Sequence, residues 1–434
     1  MISPALPEHS SAGGFAYIPE VFDIAITGIG IVTPLGLGCS QNLDRLLAGE
    51  SGVKPEVLPG LETRGAILSG TCPQFELADR LRFPKSLKYM SRAVQLAMRA
   101  ALEAFETSGL QHDRIDPYRL AIYTGAGQTG LDYKEFSRAL EVAWGSDHEP
   151  DFRHLGGIPT RMIDPYFSLR TLANGGIGLL SAEFGARGPS NNFVDNDIAS
   201  ALALQAACWD LTEGRCDAAI VGGFDSLLYP TALFALSEAG SLAGDTGHFG
   251  RIIPGEGAAF LVIERHADAV ERGACVLGKL LGSECSVEPL LQAAGDSGQS
   301  GIRRLVHRLP EACRSFEFAV SPGGALQGSV AGALGQDLPV SSLTRLTGYL
   351  GAATATVELA LGLLAARQGS VPVGTVREET GHEGPATLEQ IVTPIETQDP
   401  TGIFISASWG GQIAAIVARA NSINERHPAR AHAD

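Results

Sequence analysis

Covalent and proton-transfer chemistry needs thiols, imidazoles, hydroxyls or carboxyls brought together, so the seven cysteines and ten histidines are the first residues to place. Cys39, Cys72, Cys208, Cys216, Cys275, Cys285 and Cys313 are odd in number and scattered, and no CxxC pair occurs. Structural zinc and a disulfide framework are both disfavoured, and free thiols fit a cytoplasmic chain. The histidines are dispersed, with no HxxxH or HxH, so no metal-ligand spacing is present.

One segment has the layout of a nucleophile site. Gly188 to Ile198 (GPSNNFVDNDI) enters an apolar helix abruptly. A helix N-terminus offers unpaired N–H groups and a positive end, which lower a thiol pKa and ready it for attack. Here the first helical residue is Ile198, which has no nucleophile. Asp195, Asn196 and Asp197 read as an N-cap and first-turn acids rather than as catalytic groups. Ser200 is the hydroxyl of the first turn, but no GxSxG surrounds it and no histidine lies between His154 and His248. It reads as a small packing residue, and Cys208, deeper in the helix, as a buried inert thiol.

Two glycine-rich stretches are further candidates. Gly28 to Gly36 (GIGIVTPLG) follows a strand, but its spacing is not GxGxxG and Pro34 sits inside it, so a tight loop is expected rather than a dinucleotide site. Gly222-Gly223-Phe224-Asp225 closes a strand and Gly255-Glu256-Gly257 opens another. In both, glycine permits close backbone approach, and Glu256 is placed to accept hydrogen bonds.

The elements that position these residues follow from the hydrophobic pattern. Short apolar runs predict strands at Asp23–Ile29, Leu120–Ala126, Asn192–Val194, Ala218–Gly223, Ala258–Glu264 and Phe316–Val320. Gly402–Ala407 and Ile413–Ala418 are predicted as a hairpin through Trp409-Gly410-Gly411. Helices are expected at Gln41–Ala48, Ser86–Thr107, Tyr133–Ala143, Ile198–Thr212, Ile302–Leu309 and Tyr349–Arg367. The strands are continuous apolar runs, not alternating ones, which predicts an α/β protein with sheets covered on both faces. A weak internal echo links Ile24–Gly30 with Phe318–Gly324.

Composition narrows the function. The 434 residues are 44% hydrophobic and 18% charged, which excludes a disordered chain. The net charge of −16 argues against nucleic acid and against an anionic membrane surface. No apolar run reaches the ~18 residues of a membrane span. Residues 1–20 carry neither the basic nor the apolar part of a secretory signal and read as a loose extension, and 421–434 as a polar tail.

Seven stretches in order carry a resemblance across nearly the whole chain. They are ITGIGIVTPLG at the start, KYMSRAVQLAMRAALEAFETSGL at 88–110, FGARGPSNNFVDNDIASALALQAA at 184–207 and GRCDAAIVGGFDS at 214–226. FGRIIPGEGAAFLVIER at 249–265, LTGYLGAATATVELALGLLAARQGSVP at 346–372 and SASWGGQIAAIV at 406–417 complete the set. The sequence resembles the β-ketoacyl synthase family, the condensing enzymes of fatty-acid and polyketide synthesis. The resemblance implies the thiolase fold, in which two duplicated βαβαβαββ halves, here 21–275 and 276–420, form a five-layer αβαβα sandwich. It also implies no cofactor of the chain's own, the phosphopantetheine arriving on an acyl carrier protein.

The same resemblance marks what is missing. The cysteine of the family's Asp-Thr-Ala-Cys-Ser-Ser pattern matches Ile198. The first histidine, which heads a His-Gly-Thr-Gly-Thr loop, falls in Ser321–Ala325, with Gly323 in the stretch. The second histidine matches Tyr349 and the family lysine matches Thr344, while Glu358 retains the family glutamate. Trp409 stands at the gating phenylalanine and reads as a plug of the vestigial pocket. Such departures are similar to the chain-length factors of type II polyketide synthases, silent partners that pair with an active ketosynthase and bound its acyl tunnel. Tyr133, Phe136 and Leu140 are the candidate tunnel liners, with ordinary core packing as the alternative. Two other readings stay open: an acyltransferase or hydrolase with replaced chemistry, through Ser200 or another group, and a scaffold that only stabilises its partner.

Overall fold

The computed structural model describes residues 21–423 apart from 59–60, 128–132, 145–152, 154–156, 158–160, 243–251, 289–295, 322, 324, 336, 373–391 and 409–410. The first half runs β1 (Ile24–Thr33), α1 (Cys39–Ala48), α2 (Arg92–Ser108), β2 (Leu120–Ala126), α3 (Tyr133–Ala143), α4 (Gly175–Phe184), β3 (Ser190–Phe193), α5 (Ala199–Thr212), β4 (Ala218–Ser226) and β5 (Glu256–Arg265). The second runs β6 (Gly278–Val287), α6 (Asp296–Arg308), β7 (Phe318–Val320), α7 (Ala325–Leu334), β8 (Val340–Ser341), α8 (Thr354–Arg367), β9 (Thr401–Ala407) and β10 (Gln412–Ala420).

The strands form one mixed sheet in the order β8-β7-β9-β10-β6-β1-β5-β4-β2-β3. Read from either end toward the middle, each half has the same order, third-second-fourth-fifth-first. Each also has the same directions: the outer pairs are parallel and the inner pairs antiparallel. The halves join where β1 pairs antiparallel with β6, Ile24 opposite Leu280. Even the irregularity repeats. Thr27 is the extra residue of a bulge where β1 meets β5, and Leu281 is the extra residue where β6 meets β10. The chain therefore repeats one βαβ-rich unit. The echo expected between Ile24–Gly30 and Phe318–Gly324 pairs the wrong strands: by position in the sheet, β7 answers to β2 and β6 to β1.

Side-chain alternation on these strands feeds three hydrophobic layers. Ala259, Leu261 and Ile263 of β5 face the central core, with Ile198, Leu204, Leu359 and Phe404. Ala258, Phe260 and Val262 face the outer layer under α2. On β10, Ala414, Ile416 and Ala418 face the centre, while Ile413, Ala415 and Val417 face the outer layer under α6 and α7. α5 and α8 touch each other and strands of both halves. They are the middle layer, which is why both read as apolar almost all round and why α8 is buried from Thr354 to Ala366. The result is the five-layer αβαβα arrangement of the thiolase fold.

Several local expectations change as well. Gly28 and Gly30 lie inside β1 rather than in a loop after it. A Cβ on Gly30 would stand 1.9 Å from the Ala100 carbonyl oxygen, and one on Gly28 2.0 Å from that of Ala104, so the glycines let α2 lie directly on the strand. The helix expected from Ser86 begins at Arg92, because Ser91 caps it by accepting from the Val94 N–H. Leu87 precedes it in a 3₁₀ stretch, Pro84–Tyr89. The helix expected from Tyr349 begins at Thr354, because Gly348 and Gly351 hold the left-handed φ values +74° and +52°. No helix among the described residues is long and apolar enough to cross a membrane.

Candidate functional site

The site is built at the entry to α5, where the middle layer meets the ends of β2 and β4. Residues Asn196–Ile198 form a 3₁₀ turn rather than the first turn of the helix. Asn196 reaches this turn at φ +44°, a backbone state that asparagine tolerates better than most residues. The Ile198 N–H donates to the Asp195 carbonyl at 3.3 Å, and the Ala199 N–H to that of Asn196. These two helix-entry donors are thus occupied by the turn itself. The Ile198 side chain is only 3% exposed and packs in the central core.

The three acidic and amide residues of this turn do not cap it: no side-chain cap hydrogen bond is made. Asp197 holds its expected place as a first-turn acid, but its side chain turns inward. It is 2% exposed and accepts a hydrogen bond from the Tyr349 hydroxyl. Burial pushes its carboxyl up to about 7; the Tyr349 bond opposes the rise, and the charges of Asp225 and Asp195 add to it. Tyr349 is fixed from behind, its N–H donating to the Ile253 carbonyl at 2.8 Å and its carbonyl accepting from Gly255 at 3.0 Å.

Glu358 lies on α8, one turn beyond Thr354, and burial holds its carboxyl well above the usual range, with Asp197 adding to the rise. Neither Glu358 oxygen, nor Asp197 Oδ2, nor the hydroxyls of Ser200 and Thr354 has a hydrogen-bond partner among the described residues. Asp225, at the end of β4, closes the group. It accepts from Ser226 N–H at 2.8 Å and Ala352 N–H at 3.0 Å, and burial raises it to about 6. Gly351 makes this approach possible, since a Cβ there would stand 2.1 Å from Asp225 Oδ2.

Gly323 and Thr344 come together at a second spot. A Cβ on Gly323 would meet Thr344 Oγ1 at 2.6 Å, and that hydroxyl bonds Ser342 Oγ at 2.9 Å. Ser200 packs against Gly223 and Gly125, with no titratable group bonded to it. Cys285 feels the charge of Asp195, and burial pushes its thiol up to about 12, which disfavours the nucleophilic thiolate. Helix α3 is present and Leu140 is half-buried on it, while the side chains of Tyr133 and Phe136, and all of Trp409, lie outside the described residues. Glu256 accepts from Arg92 at 2.8 Å, Cys72 N–H at 3.2 Å and Ser226 Oγ at 3.1 Å, tying β5 to α2. No group of three or more metal-ligating side chains occurs among the described residues.

Sequence comparison sets this geometry in a family. Residues 22–269 of the 434 match the family described as Beta-ketoacyl synthase, N-terminal domain. The chain belongs to the β-ketoacyl synthase family. Among its relatives, the tetracenomycin polyketide synthase ketoacyl synthase beta subunit of Streptomyces glaucescens is 28% identical over 422 residues, spanning 91% of this chain and 98% of that one. The 3-oxoacyl-(acyl-carrier-protein) synthase 2 of Coxiella burnetii is 26% identical over 387 residues, spanning 83% and 89%. Of solved structures, the ishigamide ketosynthase/chain length factor superposes with a TM-score of 0.74 at 20% identity over 94% of this chain and all of that one (100%). A type II polyketide synthase acyl-carrier protein in complex with its ketosynthase gives 0.68 at 17% identity over 92% and 99%. The structural likenesses establish the fold.

Within this β-ketoacyl synthase scaffold, Ile198, Asp197, Tyr349 and Glu358 are neighbours, as are Gly323 and Thr344. Sequence reading missed Asp197 and Asp225 as members of the site. The available signal was an aspartate directly before the apolar run of α5, and another ending the buried strand VGGFD, where a charge has no water to face.

Proposed function

We propose that this chain is a non-catalytic ketosynthase-like subunit of the chain-length-factor kind. It pairs with an active β-ketoacyl-acyl-carrier-protein synthase in the cytoplasm, bounds that partner's acyl tunnel and sets how far the chain grows. The observation that carries this reading is the entry to α5. An acyl thioester needs a thiol there and free N–H groups to hold an oxyanion. The position is an isoleucine and its N–H is spent on Asp195. No described histidine lies at the site: Tyr349 and Gly323 stand where the family resemblance puts imidazoles. A phenol of ordinary pKa near ~10 does not replace a neutral imidazole in polarising a thioester carbonyl.

Pairing is supported by the edge of the first half. β3 is the outermost strand there, its outer edge has no strand partner among the described residues, and Val194 beside it is 47% exposed. Such an edge invites strand addition by a second chain. Tyr133, Phe136 and Leu140 on α3 are assigned to the tunnel wall, where side-chain bulk limits length by exclusion.

The test is co-expression with an active ketosynthase, followed by product analysis. The reading expects a stable pair, no covalent acyl adduct on this chain after incubation with acyl-carrier-protein thioesters, and longer products on alanine substitution of Tyr133, Phe136 or Leu140. An adduct on this chain would favour the acyltransferase or hydrolase reading instead, and unchanged product length would reduce the role to scaffolding.

A further inference from the structure

Two positions that depart from the family pattern are bonded to each other. In that pattern an alanine precedes the cysteine and a histidine stands at 349. Here Asp197 and Tyr349 occupy those positions, and the Tyr349 hydroxyl donates to the Asp197 carboxyl. The bond crosses the duplication, with Asp197 in the first half and Tyr349 in the second. Its far end is rigid, because the Tyr349 N–H and carbonyl are both bonded to the segment that leads into β5, at Ile253 and Gly255.

The turn at the near end needs holding. It joins β3 to α5, Asn196 sits in it at φ +44°, and no side chain caps it. Val194 before the turn is 47% exposed, whereas Asp197 is 2% exposed. A backbone state of this kind persists only where the surroundings over-determine it. Ile198 anchors the turn by packing, which has no direction, and Asp197 anchors it by a directed bond. We infer that Asp197 and Tyr349 are positioning residues, a strut that holds the β3–α5 turn from the opposite half and so fixes β3 as the pairing edge. A structural bond then stands where the family resemblance puts chemistry. The inference rests on the proposed function for the part that β3 plays in pairing, but the strut itself is tested without a partner.

The test is amide hydrogen exchange of the full chain, read at Ile198 and Ala199, whose N–H groups close the turn. Tyr349→Phe removes only the hydroxyl, and Asp197→Ala restores the residue of the family pattern. Each should speed exchange at the turn by roughly tenfold, the factor for one hydrogen bond worth about 1.4 kcal/mol, with α2 unchanged. The double variant should exchange no faster than the faster single one, because both remove the same bond. Unchanged exchange in both single variants, accelerations that multiply in the double, or equal acceleration at α2 would each overturn the strut. With a co-expressed active ketosynthase, Tyr349→Phe should raise the dissociation constant of the pair several-fold. Faster exchange with an unchanged dissociation constant would overturn the role given to β3 and leave the chain-length reading standing. A parent chain that forms no pair would instead overturn that reading and leave the exchange result as it is.

Discussion

Asp197 binds its proton more tightly in the folded chain than in the unfolded one, because burial removes the water that solvates its charge. Between the unfolded value near ~3.9 and the folded value of about 7, the folded state holds the extra proton, so stability falls as pH rises through that window. Glu358 shifts in the same direction. Urea unfolding should therefore give a lower midpoint at pH 8 than at pH 5. Asp197→Asn, which keeps an acceptor for Tyr349, should flatten that difference by about 2–3 kcal/mol at most. A midpoint difference that Asp197→Asn leaves intact would show that this carboxyl is ionised at little cost. Little of this was legible in the sequence. An acid at a helix entry satisfies local capping rules, and only the packing of α8 and the Tyr349 loop against the turn shows that the side chain goes inward.

At the scale of elements, apolar runs located most strands and helices, because the buried strands and middle-layer helices carry continuous hydrophobic sequence; β6, β8, α4 and α7 were not read from it. The misplacements have local causes: a cap at Ser91, left-handed glycines before α8, and glycines that serve packing inside β1. The last gives a sharp contrast. Gly30→Ala drives a Cβ to 1.9 Å from the Ala100 carbonyl, so α2 must shift. We expect a loss of about 1–3 kcal/mol or more in urea unfolding. Gly178→Ala, within α4 and with nothing within 4 Å, should instead gain about 0.5–1 kcal/mol through helix propensity. Removing the cap with Ser91→Ala should cost about 1 kcal/mol. If Gly30→Ala unfolds at the wild-type midpoint, α2 does not rest on β1 as described.

For the whole molecule, the duplication explains both what sequence revealed and what it hid. Two halves with the same strand order and the same bulge on their first strand meet at β1 and β6, and the site lies in the layer they share. Tyr349 and Glu358 therefore come from one half, and Asp197 and Asp225 from the other. The order of the seven motif stretches fixed the family, and hence the fold. The weak echo of Ile24–Gly30 in Phe318–Gly324 misled because two short apolar strands ending in glycine look alike, whatever their place in the sheet. Whether the molecule acts through a second chain, as proposed, decides its function. The most direct measurement is the intact mass of each subunit of the co-purified pair after incubation with acyl-carrier-protein thioesters. The account predicts acyl mass on the partner's polypeptide, none on this one, and elongation that stops when the partner alone is inactivated. Acyl mass on this chain, or elongation that survives loss of the partner's thiol, would contradict it.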